Sequence, residues 1–186
     1  NKSQLDQAAA AATTTVTAGD NIKVTPSDNP NGSKNYEVSL KDQVTLGSDP
    51  TKQIALDGTT GTIKAGDKVT IDGNKGNITA GKVAIDGENG IIKAGDKVTI
   101  DGKDGKIDAG KIAVDGKDGY VTGLENKTFD PANIVSGRAA TEDQLKASHD
   151  SLDQKITNMG DEITKKGMDF AGNTGEFHRD LGQKVT

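Results

Sequence analysis

The amino-acid sequence predicts a mainly β, repetitive, elongated fibrous protein that passes into an α-helical coiled coil. Three observations lead there. A unit of 14 or 15 residues recurs five times between residues 53 and 123, and short internal periods mark stacked architectures rather than single globular cores. Residues 141–166 change to apolar spacings of four and three, the heptad signature. Leu, Ile, Val and Phe together make 36 of 186 residues, about 19%, while Gly makes 24, nearly twice its usual share of about 7%.

That apolar poverty lies at the edge of disorder, so placement decides between a disordered chain and a thin fibre. The absence of Cys excludes a disulfide framework and Cys-ligated zinc or iron–sulfur sites. Two histidines, His149 and His178, leave little for a histidine metal cluster. No apolar run approaches the ~18–20 residues of a membrane span, and the net charge of −5 argues against a nucleic-acid surface. No catalytic, cofactor or metal residues are assigned, and neither nucleic acid nor direct membrane contact is expected. Asn1–Leu5 does not read as a natural start, so an internal fragment is expected, whose missing targeting signals say nothing of location.

Residues 1–15 read as the end of a helical stalk, with Leu5 followed by the run Ala8–Ala12. Residues 16–52 read as a β connector. Its alternating runs, Asn21–Thr25 and Tyr36–Leu40, flank the Pro-, Asn- and Ser-rich loop Pro26–Ser33.

In residues 53–123 the repeated aspartates are Asp57, Asp72, Asp86, Asp101 and Asp115, at steps of 15, 14, 15 and 14. The longer steps carry an extra Asp, in Ala65–Asp67 and Ala94–Asp96. The unit is K-V-x-I-D-G-x-x-G-x-I-x-A-G. Its apolar residues alternate with polar ones: Val69 with Ile71, Val83 with Ile85 and Val98 with Ile100 form the candidate repeat core. Period two, punctuated by Gly, predicts two short strands and two tight corners per unit. One unit holds too few apolar side chains to offset its ordering entropy. The units therefore stack as a β-roll, or as walls of a β-prism shared between chains, extending ~24 Å at one stacked strand per unit. The Asp-Gly-x-x-Gly segments match neither the EF-hand loop nor the calcium nonapeptide, so their carboxylates are expected to serve the turns.

Residues 124–140 read as a connector. Thr141 with Gln144 makes a capping box, and Leu145, His149, Leu152, Ile156, Met159 and Ile163 follow at steps of 4, 3, 4, 3 and 4. The neighbouring positions are polar, so the narrow seam indicates a coiled coil of separate chains over 141–166. Ile at a with Leu or Met at d leans toward two strands on parallel-dimer rules; the heptads alone leave the strand number open. His149 is expected to be a polar layer that fixes register. Lys165, Lys166 and Gly167 predict the helix end, and residues 167–186 the start of a second β connector.

Four segments resemble a known family. Thr17-Ala-Gly-Asp-Asn-Ile-Lys-Val24 looks like an exit from a stalk into a β domain. Val121-Thr-Gly-Leu-Glu-Asn-Lys-Thr-Phe129 is similar to a head element in which Trp usually stands where Phe129 is. Ser136-Gly-Arg-Ala-Ala-Thr-Glu-Asp-Gln-Leu145 looks like a neck, with Arg138, Thr141 and Gln144 as its candidate residues. Gly167–Thr186, with Phe170-Ala-Gly-Asn-Thr-Gly175, resembles a β connector after a stalk. This order resembles the passenger region of trimeric autotransporter adhesins, surface fibres of Gram-negative bacteria. The resemblance implies a parallel homotrimer with a three-stranded coiled coil, at the bacterial cell surface. It implies anchoring by a C-terminal outer-membrane barrel outside this chain, and adhesion to a host receptor, a matrix protein or other bacteria. A viral or phage tail-fibre segment, a passive spacer and an enzyme on a β-solenoid are the alternatives; five aromatic residues in the chain offer few sugar platforms for the last.

Overall fold

The computed structural model describes residues 1–185, which cluster into two units that meet in sequence at Thr122 and Gly123. The first unit opens with helix α1 (Lys2–Ala12), capped by Asn1, whose side chain accepts from the Gln4 amide at 2.9 Å. Strands β1 (Ile22–Asp28) and β2 (Lys34–Leu40) form an antiparallel hairpin that pairs Val24 with Val38 and Pro26 with Tyr36. The sequence placed a loop from Pro26 onward. The strand instead runs through Asp28 and the loop shrinks to residues 29–33, because both strands of a two-stranded hairpin are edges and tolerate a missing N–H.

Strands β3 (Gln43–Leu46), β4 (Ile54–Asp57), β5 (Thr62–Ala65), β6 (Val69–Asp72), β7 (Asn77–Ala80) and β8 (Val83–Asp86) are followed by β9 (Ile91–Ala94), β10 (Val98–Asp101), β11 (Lys106–Ala109), β12 (Ile112–Asp115) and β13 (Tyr120–Thr122). They form one 11-stranded antiparallel sheet in strict chain order. Each repeat supplies two neighbouring strands to this sheet. The β-roll alternative is thereby corrected: the chain meanders in one layer and does not coil. At ~4.8 Å per strand the stack extends ~48 Å, twice the expected length, because both strands of a unit add to one sheet. Strand β3 also joins it, from the segment read as connector.

The alternation of 14 and 15 residues is absorbed entirely in the turns. Turns 66–68 and 95–97 hold the extra Asp67 and Asp96, whereas 81–82 and 110–111 lack it. Ala65 therefore faces Val69 across a three-residue turn and Ala80 faces Val83 across a two-residue turn. A one-residue slip inside a strand would have moved every apolar side chain to the other face.

Two glycines of the turn motif have separate causes. Gly76 sits at φ +66°, a conformation that L side chains rarely adopt. Gly87 donates its N–H to the Gly76 carbonyl at 3.0 Å, and a Cβ on it would lie 2.2 Å from that oxygen.

The second unit begins with residues 123–140, which hold no helix or strand, and continues as helix α2 (Glu142–Val185), 44 residues long. This corrects two expectations, the helix end at Lys165–Gly167 and the second β connector over 167–186. The helix continues through Val185, and Thr186 lies outside the described residues. Glycines at 160, 167, 172, 175 and 182 each weaken a helix by about 1 kcal/mol relative to Ala, which is why the sequence reads as a break. The signal for continuation is Phe170 and Phe177, which prolong the a positions of Ile156 and Ile163 at seven-residue steps. Only the a row persists; Lys166, Asn173 and Asp180 occupy d.

Candidate functional site

The main candidate is an interaction surface, one face of the 11-stranded sheet. Cross-strand pairing joins Val44 to Leu56, Leu56 to Ile63, Ile63 to Ile71, Ile71 to Ile78 and Ile78 to Ile85. The row continues through Ile92, Ile100, Ile107 and Val114 to Val121. Every strand contributes one branched or Leu side chain. A second row on the same face, two residues along each strand, alternates small and large, as in Ala65, Val69, Ala80, Val83, Ala94 and Val98. The structure thus brings the predicted repeat-core residues Val69, Ile71, Val83, Ile85, Val98 and Ile100 onto a single face.

Within its own unit, that face stays exposed to solvent. Among the described residues no side chain is buried, and Ile63, Ile71, Ile78, Ile92 and Ile100 remain 42%, 37%, 37%, 40% and 38% exposed. A soluble monomer rarely leaves a contiguous apolar patch of this length open. The opposite face carries Lys64, Thr70, Thr79, Lys93, Thr99 and Asp108 at the corresponding positions, with Ala55, Ala84 and Ala113 among them, a mixed surface of polar and small side chains.

The repeat aspartates close their turns. Asp72 Oδ1 accepts from the Asn74 amide at 3.0 Å, Asp101 Oδ1 from the Lys103 and Asp104 amides at 3.0 and 3.1 Å, and Asp115 Oδ1 from those of Lys117 and Asp118 at 3.0 and 3.1 Å. At Asp57 the hydrogen bond from the Thr59 hydroxyl is the largest influence lowering the carboxyl below the usual Asp value. At Asp86 the Asn89 side-chain amide has the same effect. These carboxylates are engaged with backbone and side-chain donors of their own turns, as the turn reading expects.

The sheet edge is closed by a residue that the sequence reading did not single out. Asn21, at φ +68°, donates from Nδ2 to the Thr45 carbonyl and accepts from the Thr45 amide through Oδ1, both at 2.8 Å. Its side chain imitates one residue of a pairing strand, which blunts an exposed edge. The Asp-Asn dipeptide before an alternating run was the available signal, since Asn tolerates left-handed backbone better than most residues.

In the neck, Gln144 N donates to Thr141 Oγ1 at 3.1 Å, and Thr141 N donates to Gln144 Oε1 at 3.3 Å. The capping box is therefore formed. Gln144 also reaches the preceding loop, donating from Nε2 to the Thr128 carbonyl at 2.8 Å. Arg138 lies with Phe129, Ile134, Val135 and Leu145 around a mainly apolar cleft of about 270 Å³.

On α2 the seam residues Leu145, Leu152, Ile156, Met159 and Ile163 are 57–70% exposed, and His149 is exposed beside them. The Lys146–Asp150 ion pair at 2.6 Å flanks the seam; its hydrogen bond lowers the Asp150 carboxyl and raises the Lys146 amine. His149 and His178 are separated by ~43 Å along a continuous helix, so one chain does not bring them together. Among the described residues no group of three or more His, Cys, Asp or Glu side chains could hold a metal ion, and no helix is long and apolar enough to cross a membrane.

No family model and no curated protein matches the chain. Among solved structures, the chain is similar to the AtaA C-terminal stalk of Acinetobacter sp. Tol 5, fused to GCN4 adaptors. The identity is 23% and the TM-score 0.30; the match covers 87% of this chain and 37% of that one.

Proposed function

We propose that this chain is a structural and adhesive segment of a bacterial surface fibre, assembled as a parallel homotrimer. The single observation that supports it most is the apolar face of the 11-stranded sheet, open along its whole length in one chain. Three such sheets, apolar faces inward, would form the walls of a β-prism. The exposed seam of α2 would supply a second trimer core through Leu145, His149, Leu152, Ile156, Met159 and Ile163. The motif resemblance supports three chains rather than two and an extracellular location at the bacterial surface.

The role is non-enzymatic and needs no cofactor. The repeat carboxylates are occupied by their turns, and the two histidines are far apart. Adhesion would be multivalent, since three identical surfaces on one fibre raise the effective concentration at a host receptor, matrix protein or neighbouring cell.

Light scattering on the full chain tests the assembly. A trimer mass is expected, and a stable monomer at micromolar concentration would overturn it. Deletion of residues 53–123 from the parent fibre tests the role. Reduced attachment supports adhesion by the repeats, whereas unchanged attachment makes them a passive spacer.

A further inference from the structure

The two rims of the 11-stranded sheet differ in charge. Successive turns of a meander alternate between rims, so the Asp-Gly-x-x-Gly turns 57–61, 72–76, 86–90, 101–105 and 115–119 all lie on one rim. They carry eight acidic side chains against three lysines. Turns 66–68, 81–82, 95–97 and 110–111 lie on the other rim and carry Lys68, Lys82, Lys97 and Lys111 against Asp67 and Asp96. Both ladders repeat every two strands, ~9.6 Å, and each is offset from the other by one strand.

The uncovered face accepts further copies in two general ways, which differ in the rims that meet. Rotation about the stacking direction places the acidic rim of one copy beside the lysine rim of the next. Reversal of the stacking direction places like rims together, with acidic turns opposed along the whole edge. Turn-to-turn spacing is close to the Debye length of about 8 Å at physiological salt, so this repulsion is felt at every step.

We propose that the acidic rim of each copy docks beside the lysine rim of the next, and that these ladders set the polarity and axial register of the assembly. The inference rests on the homotrimer reading and adds which surfaces meet. With no axial shift, Lys68 lies level between turns 57–61 and 72–76. Lys82 lies between 72–76 and 86–90, and Lys97 between 86–90 and 101–105. Lysine turns and acidic turns then interleave. Glu88, Asp104 and Asp118 are the acids suited to pair across this junction, because their side chains take no part in the turn hydrogen bonds formed by Asp86, Asp101 and Asp115.

The test uses three variants of the full chain. The first carries Lys82→Glu, Lys97→Glu and Lys111→Glu, whose turns neighbour 86–90, 101–105 and 115–119 in this register; the second carries Glu88→Lys, Asp104→Lys and Asp118→Lys; the third carries all six. Analytical ultracentrifugation reads the concentration at which the assembly dissociates, and circular dichroism reads strand content. Each triple variant is expected to raise the dissociation midpoint about tenfold or more, as three exposed pairs turn from attractive to repulsive. The six-fold variant, with rim charges exchanged, is expected to return to within about threefold of the parent. Independently, raising salt from ~0.05 to ~0.5 M should weaken the parent assembly and strengthen both triple variants. Triple variants that assemble like the parent, or a six-fold variant no better than either, would overturn the rim pairing while leaving a trimeric parent intact. A monomeric parent would instead overturn the reading on which it rests.

Discussion

Asn126 and Gln144 lock the neck to the first turn of α2. Asn126 Nδ2 donates to Gln144 Oε1 at 2.6 Å and to the Ala139 carbonyl at 2.8 Å, while Thr141 Oγ1 donates to the Asn126 carbonyl at 2.7 Å. Gln144 is thus both the capping-box partner of Thr141 and the anchor of the loop before it. Gln144→Ala should cost about 1–2 kcal/mol of stability, since it removes the box and leaves Asn126 with one partner fewer. Gln144→Glu keeps both acceptor roles of the side chain and should cost less. Urea unfolding monitored at 222 nm distinguishes them; equal losses would show that only the donation to Thr128 matters.

The two faces of the sheet should respond oppositely to charge. Ile78→Asp, in the middle of the apolar row, places a carboxylate where the face must be covered, and should abolish assembly at micromolar concentration. Thr79→Asp, one residue along and on the polar face, should leave the assembly mass unchanged. Light scattering of both variants reads the contrast.

Turn glycines should fail for different reasons. Gly87→Ala drives a methyl into the Gly76 carbonyl, which a Cβ would approach to 2.2 Å; backbone must move, at about 2–4 kcal/mol. Gly90→Ala meets open space but holds φ +69°, and should cost about 1–2 kcal/mol in left-handed strain. Paired denaturation curves of the two variants check the order.

Acid should loosen the repeats at their turns. Asp57 and Asp86 are depressed by the hydrogen bonds they accept, so their stabilisation is complete above the unfolded Asp pKa of about 3.9 and is lost as pH falls through their lower folded values. Unfolding midpoints should therefore be flat from about pH 7 to 5 and fall below about pH 4. Asp57→Asn together with Asp86→Asn should flatten that fall.

Residues 167–185 provide a direct test of the long helix. Gly172→Ala with Gly175→Ala should raise helix content and stabilise the chain by roughly 0.5–1 kcal/mol per site. A loss of stability would mean that these glycines serve a non-helical backbone.

The strands, the turns and the capping box were legible because each rests on neighbours in sequence: alternation of Val69 and Ile71, Asp-Gly turns, Thr141 with Gln144. Three features were not. Strand β3 joined the sheet through pairing with β4 across a seven-residue turn, which no local pattern announces. Asn21 reached Thr45 across 24 positions. In α2 beyond Met159, five glycines in 160–182 and two phenylalanines pointed in different directions, and the phenylalanine stripe prevailed.

By itself, the sequence determined that apolar residues would fall on one side of short strands and in a narrow helical seam, because period two and the heptad are local properties. The tertiary structure decided that both strands of every repeat enter the same sheet. Strand pairing places Ile71 beside Ile78 and Ile78 beside Ile85, and only that register turns scattered isoleucines into one continuous apolar row. The same meander sorts alternate turns to opposite rims, separating charges that in the sequence are interspersed.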